Sequence, residues 1–513
     1  KRTDWVKISK ESMLISIVCL VSLILIICIC SGVIPFGIRG QWIYPSLQQF
    51  NIVEIPIMHM LGSIIIAVGI FIISFRTKKY FSKSHLTAIS GIIVLSLSSM
   101  LFDWNILLSG RIGIAENLMA LYDDATTGYL EEASKAGSFA NYIENFAEKQ
   151  KKNEFINHCI TNPPARTILC MLIYKINHQP SLRNFIIKTM PSEAHSAFKI
   201  FKDENLFPKF KMDELDQATG ILLLYVFLLL ILFGKIFCGI IILLLYGKEN
   251  SLDLAPLYLF IPAPILLLGH YDCFFFSISA FLMMLAIFAI EKESSAIFAI
   301  TSSIMCLSTL ISIAFGVSCL WIIVFCFLYY TLKKDRKKIL KDMFLFAIFY
   351  GATAIGLLLL FNFDYLEVLF NCLRNNSLFY AKQTNRSIEW KLVNYFEFAF
   401  AVGLPVALIA FYISIKNFWS LKEKISFFES NNKKKAAIFA SLISLIFLIF
   451  TPTRGEVFRL WTPAIPFFYI LLPELLKELK EKKNFAIFSI GFLTVIQIVF
   501  MRYFIKIVII ESM

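Results

Sequence analysis

Charge is what this sequence has too little of. Of 513 residues only 17% are Asp, Glu, Lys or Arg, where a soluble domain carries about a quarter. Hydrophobic residues make up 58%, more than a water-solvated core of ordinary size can hide, and this excludes a soluble globular protein. The deficit is uneven: charge vanishes from runs of 16 to 27 residues, such as Ser12 to Ile34. About 20 such residues cross the hydrocarbon as a helix, so lipid is the solvent for most of the chain. A repeated Cys-x-x-Cys pair is also missing. The eleven cysteines lie mostly inside hydrophobic runs (Cys19, Cys28, Cys30, Cys238, Cys306, Cys319, Cys326), where they act as small apolar side chains rather than as a metal site or a disulfide framework. The small residues of a cleavage site do not follow the first run, which is therefore read as a retained helix. No internal repeat is evident, which disfavours the repeat-built transporter folds.

What is present predicts an all-α, polytopic helical membrane protein. Thirteen spans are expected, at 12–34, 55–75, 86–102, 221–246, 254–269, 273–290, 296–313, 316–332, 343–361, 398–415, 436–450, 460–476 and 485–501. The seventh and eighth form 37 nearly uncharged residues. As one helix they would be about 55 Å long, so a break is placed near Gly316. The chain divides into an N-terminal group of spans (1–102), a large polar loop (103–220) and a second group of spans (221–513) with further loops at 362–397 and 451–459.

The net charge of +13 would suggest nucleic acid in a soluble protein, but its distribution points elsewhere. With the N-terminus in the cytoplasm, the inner segments hold 26 Lys and Arg and the short outer loops hold 7. That imbalance orients membrane proteins, and it implies no nucleic-acid partner. It places the 103–220 loop outside, with helical patches expected at Tyr129 to Lys152 and Ala165 to Asn177, the latter apolar enough to lie on the membrane surface.

Three segments could carry chemistry. Asp123-Asp124 in the large loop supplies adjacent carboxylates, which can take a proton from an acceptor hydroxyl or hold a divalent metal at a donor phosphate; the same pair also suits a capped helix start. Thr161-Asn162-Pro163-Pro164-Ala165-Arg166 is a rigid break before an apolar helix. It aims a helix N-terminus, with Arg166 beside it, at whatever lies in front, and a phosphate would suit that place. Thr453-Arg454-Gly455-Glu456-Val457-Phe458-Arg459 puts three charges at the edge of a span, where they pair, face a cavity or snorkel. Glu456 and Arg459 are three apart and can form an ion pair on one helix face, and arginine is well shaped to clamp phosphate. Individually weaker are His270-Tyr271-Asp272, at a hairpin between two spans, and Lys235 in mid-span.

Several of these residues also carry a resemblance. The segment from Asp124 through Gly128-Tyr129 to Ala133, followed by Thr161-Asn162-Pro163-Pro164-Ala165, resembles the outer loop of bacterial polytopic glycosyltransferases of the GT-C superfamily, the group related to protein O-mannosyltransferases and aminoarabinose transferases. That loop pairs Gly-Tyr with Thr-His-Pro-Pro-Gly. Arg39-Gly40-Gln41-Trp42-Ile43-Tyr44 looks like the turn after the first span in such proteins, and Arg454-Gly455-Glu456-Val457-Phe458-Arg459-Leu460-Trp461 like a segment before a late span. The family's His is Asn162 here, and its Gly is Ala165.

The resemblance implies a membrane enzyme of the cell envelope whose active site faces away from the cytoplasm and whose donor is a polyprenyl-phosphate sugar. Carried over position by position, Asp123 or Asp124 would be base or electrostatic stabiliser, and Glu456 with Arg459 would line the donor phosphate cavity. Tyr129, Asn162, Arg166, Asp272 and Arg454 complete the expected substrate-binding set. The expectation is therefore a glycosyltransferase in a bacterial cytoplasmic membrane, with membrane lipids around it. A secondary transporter, or a polymerase or ligase of lipid-linked glycans, stands as the alternative.

Overall fold

The computed structural model describes residues 10–39, 41–44, 57–110, 112–124, 127–382, 388–420, 432–451, 453, 455–477 and 483–506. Of the described residues 82% are helical, and a two-stranded hairpin pairs Phe36–Ile38 with Trp42–Tyr44. Among the described residues, eight helices are long and apolar enough to cross a membrane: Met13–Cys30, Met58–Phe81, His85–Leu108, Glu214–Tyr246, Tyr271–Glu291, Ile313–Lys333, Arg336–Phe361 and Lys483–Phe504. Broad apolar faces of these helices remain exposed, for example Ile65, Leu359 and Leu360 at 69%, 78% and 77%, as lipid-facing helices require.

The remaining apolar segments are short or broken, and the sequence shows why. The segment expected to span at 254–269 carries Pro256, Pro262 and Pro264, which cannot sustain a helical hydrogen-bond ladder. It forms two short helices, Ala255–Tyr258 and Pro262–Leu266, and all of its residues are buried. Irregular backbone at membrane depth is tolerated where protein surrounds it. The segment expected at 398–415 bends by 117° between Trp390–Val402 and Leu404–Tyr412. Gly403 turns the chain there with φ +112. The side chain of Gln497 repairs the break, accepting from the Leu404 amide at 2.8 Å and donating to the Phe400 carbonyl at 2.7 Å.

The 37-residue run also divides, at Leu310–Ser312, into Ser295–Thr309 and a helix that starts at Ile313 with one 3-10 turn. Two carbonyls freed by this break find partners in the polar loop. Leu310 O accepts from the Ala165 amide at 3.1 Å, and Ile311 O from Arg166 Nε at 2.9 Å.

Between Leu108 and Glu214 the polar loop is a series of short helices. The helix Ala165–Asn177, which its composition suits to a membrane surface, packs instead against Tyr129–Lys135 and the long helix Glu214–Tyr246. Cys170 at its centre is fully buried, and Leu172 and Ile176 stay exposed. Arg502, in the last turn of Lys483–Phe504, fastens the loop's entry: it pairs with Glu116 at 3.0 Å and donates to the carbonyls of Ser109 and Gly113. Gly110 is required there, since a Cβ would lie 2.8 Å from Arg502 Nε.

Candidate functional site

Residues far apart in sequence meet where this loop docks on the helix ends. Arg166 is the second residue of the helix Ala165–Asn177, whose cap is Pro164. Its guanidinium lies between the rings of Tyr129 and Phe275, 5.2 and 4.8 Å from their centroids. Arg166 Nη1 donates to the Tyr129 hydroxyl at 2.9 Å and lies 3.3 Å from Asp272 Oδ1. The other Asp272 oxygen, Oδ2, lies 3.4 Å from Arg459 Nε, and Arg459 Nη2 donates to Glu456 Oε2 at 2.7 Å. The result is one chain of ions, Arg166–Asp272–Arg459–Glu456. Backbone links reinforce it: the Thr462 hydroxyl donates to the carbonyls of Asp272 and Arg459, at 3.1 and 3.0 Å.

Burial grades along this chain. The side chains of Arg166 and Asp272 are 7% and 4% exposed, those of Arg459 and Glu456 19% and 26%. One end is embedded in protein and the other reaches an open edge. Buried charges of this kind persist only when paired, and the alternating signs meet that condition.

The turn that presents Glu456 and Arg459 is held from the helix Trp390–Val402. Asn394 donates to Thr453 O at 2.8 Å and accepts from the Gly455 amide at 2.9 Å; Glu397 accepts from the Val457 amide at 3.1 Å. Gly455 and Glu456 both have positive φ, +86 and +61. For glutamate that is uncommon, and such conformations persist where the surroundings fix them. The Phe36–Tyr44 hairpin packs beneath, with Phe36 and Tyr44 rings 6.2 and 6.4 Å from Phe458, and Trp390 Nε1 donates to Gln41 Oε1 at 2.8 Å. The segments around Trp42, Tyr129, Arg166 and Arg459, read separately in the sequence, thus share one place. Arg454 lies outside the described residues.

Two histidines face the same ions, and His158 had no signal in the sequence beyond its closeness to Asn162. Loss of solvent around His158, with the Arg459 charge adding to it, brings its pKa down to about 4. Burial, and then Arg459, hold His270 well below the ordinary histidine range. Both are neutral imidazoles at neutral pH. Asn162 ends the short helix Asn157–Thr161 and donates to the His158 carbonyl at 2.9 Å. The elbow is braced from outside by the helix Tyr365–Lys382: Asn375 donates to Ile160 O and Asn376 to Thr161 O, at 3.2 and 2.7 Å.

The acidic dipeptide is split. Asp123 ends the helix Ile114–Tyr122 and is buried, at 2% exposure. Asp124 turns outward to Lys209, 2.6 Å away, which also pairs with Glu131 at 3.0 Å. These two hydrogen bonds raise the Lys209 pKa. Nearby Glu132 is buried, and burial raises its carboxyl. At the start of the helix Ala165–Asn177 the Leu310 carbonyl occupies the Ala165 amide. A phosphate seated on that terminus, which the sequence suggests, would bind without the Ala165 amide.

Lys235 is matched inside the bundle by Asp103, 2.5 Å away, and neither side chain is exposed. Among the described residues no group of three or more His, Cys, Asp and Glu is placed to hold a metal ion. A cleft of about 230 Å³ lined by Glu144, Glu148, Lys151, Asn362, Asp364 and Glu367 shares no residue with the arginine network. No family model, curated protein or solved structure matches this chain.

Proposed function

We propose that this protein is a membrane glycosyltransferase of the GT-C kind. It transfers a sugar, with inversion, from a polyprenyl-phosphate donor to a hydroxyl of a lipid, glycan or protein on the non-cytoplasmic face of a bacterial cytoplasmic membrane. All thirteen apolar segments belong to the membrane domain in this reading, with the N-terminus in the cytoplasm. One observation carries it: the three segments that resemble GT-C motifs converge on the ion chain Arg166–Asp272–Arg459–Glu456. Arginine at the partly open end neutralises the leaving phosphate, and a carboxylate takes the acceptor proton. Asp124 points out to the surface beside Lys209 and Asp123 is buried, so Asp123 is the member of the dipeptide assigned to that role.

The test is transfer by the full chain in liposomes, supplied with labelled polyprenyl-phosphate sugars and a hydroxyl acceptor. Asp123→Asn is expected to lower turnover by about 100-fold or more, and Asp124→Asn to leave it within about threefold, since an exposed ion pair contributes little. Unchanged turnover in the double variant removes the proposed reaction centre.

A secondary transporter is the second reading, favoured by the fully buried Lys235–Asp103 pair, because ionisable residues inside a membrane bundle often mark ion pathways. Solute uptake into vesicles that Lys235→Met abolishes would support it over transfer chemistry.

A further inference from the structure

We infer that Glu456 is a resident counter-ion which a ligand's phosphate displaces from Arg459, while Arg166 and Asp272 stay in place behind it as a positioning pair. The inference rests on the lipid-phosphate reading above and assigns its four charged residues different roles.

Arg166 has no edge to offer a ligand without dismantling its own surroundings. Its Nε is used by Ile311 O and its Nη1 by Tyr129 and Asp272, and two aromatic rings flank the guanidinium. Asp272 is equally committed, between two arginines and with its backbone carbonyl tied to Thr462. Together they fix the Nε side of Arg459. Among the described residues, the ion pair on the other edge of Arg459, through Nη2, is with Glu456, the most exposed member of the chain.

A phosphate and a carboxylate offer a guanidinium the same geometry, two oxygens for two parallel N–H donors. Exchange of one for the other therefore keeps the charge balance around the buried end. It requires little of the main chain. The amides on either side of Glu456, those of Gly455 and Val457, are pinned by Asn394 and Glu397. The side chain can rotate out about its own bonds while the turn stays.

The experiment uses the full-length protein in detergent micelles, with farnesyl phosphate as probe and binding measured by calorimetry at fixed salt. Glu456→Gln, nearly the same shape without the charge, is expected to bind at least about threefold tighter than the unmodified protein. Arg459→Gln is expected to bind at least about tenfold weaker. Combining the two should erase the gain, because the displaced contact is the one between Glu456 and Arg459. Asp272→Asn should weaken binding by one factor whether residue 456 is Glu or Gln, and Asp272→Glu should restore part of it, a rescue that general loosening would not give. Should Glu456→Gln not fold, Glu456→Asp shortens the reach to Arg459 and is expected to tighten binding too.

Binding by Glu456→Gln that is equal to or weaker than that of the unmodified protein, with Arg459→Gln still impaired, overturns the displacement and leaves the lipid-phosphate reading standing. A gain that persists in the Arg459→Gln background also overturns it, as a general charge effect. Failure of every form to bind farnesyl phosphate removes both.

Discussion

The Ala165 amide donates to the Leu310 carbonyl at 3.1 Å, so the helix that opens behind Pro163-Pro164 is stoppered by the break between two apolar helices. Each break supplies what the other lacks. A helix start leaves amides without acceptors and a broken span leaves carbonyls without donors, and here one satisfies the other. Arg166, the next residue, extends the same contact to Ile311 and from there to Asp272. The loop is joined to the membrane helices through unsatisfied backbone as much as through apolar packing.

Removing one end of the buried ion chain should therefore destabilise the protein. Arg166→Met leaves Asp272 buried beside a single arginine, and breaking such a pair typically costs about 3–5 kcal/mol. Asp272→Asn should be comparably harmful. The double variant should lose less than the sum of the singles, since neither charge is then stranded. Thermal unfolding of the detergent-solubilised protein checks this, and strict additivity would contradict coupling between the two residues.

The same reasoning applies in the bundle at Lys235 and Asp103, which pair with no exposure. Lys235→Met should lower stability by about 3 kcal/mol or more, and Lys235→Met with Asp103→Leu should recover much of it, because apolar replacement of a buried pair is often neutral or better. If glycosyl transfer is the activity, the double variant keeps its turnover. Loss of transfer in a double variant of normal stability would give this pair a functional role.

These two pairs show what the sequence could convey. Lys235 stands out as a charge in mid-span, and Asp103 as a charge at a helix exit, but 132 residues separate them, and no local pattern links them. The individual members of the arginine site are legible for the same reason: Arg166, Asp272, Glu456 and Arg459 are charges at the edges of apolar runs. Their mutual contacts are not, because they depend on how the loop docks. Span positions are legible where apolar runs are continuous. At 254–269 the segment is broken and apolar residues are buried inside protein rather than facing outward, a distinction hydropathy alone does not make. His158 was missed because nothing beside it in sequence reveals the distant arginines that face it.

His158 gives a pH test with a definite sign. Its folded pKa is about 4, below the ordinary 6.5, so between those values the unfolded chain binds a proton that the folded protein refuses. Stability is then full above about pH 6.5 and falls as pH drops toward 4. Allowing for partial exposure, the loss is on the order of 2 kcal/mol. Other groups titrate in this window too: His270 adds a loss of the same sign, and Glu132, whose pKa burial raises, opposes it. The difference between the stability profiles of the unmodified protein and His158→Asn isolates the His158 part. That difference should shrink as pH falls from 6.5 to 4, and a difference independent of pH would contradict the neutral imidazole.

The bend at Gly403 makes the last prediction. Breaking a helix inside a bundle strands an amide and a carbonyl where no water can reach, and each such group costs about 1–3 kcal/mol if left unpaired. Gln497 meets both, at Leu404 N and Phe400 O, through the two ends of one amide. Gln497→Leu matches the apolar surroundings better yet should destabilise the protein by several kcal/mol, roughly two unpaired groups. Gln497→Glu keeps the acceptor for Leu404 and loses the donor to Phe400. When protonated it regains a donor, so its deficit should be smaller at low pH than at high pH. Gly403→Ala tests the other half of the bend: a Cβ there meets Thr494 at 3.0 Å on a backbone with φ +112, and the cost should be about 1–3 kcal/mol. Thermal midpoints for the three variants order these effects. A Gln497→Leu protein as stable as the original would mean that the bend does not depend on this side chain.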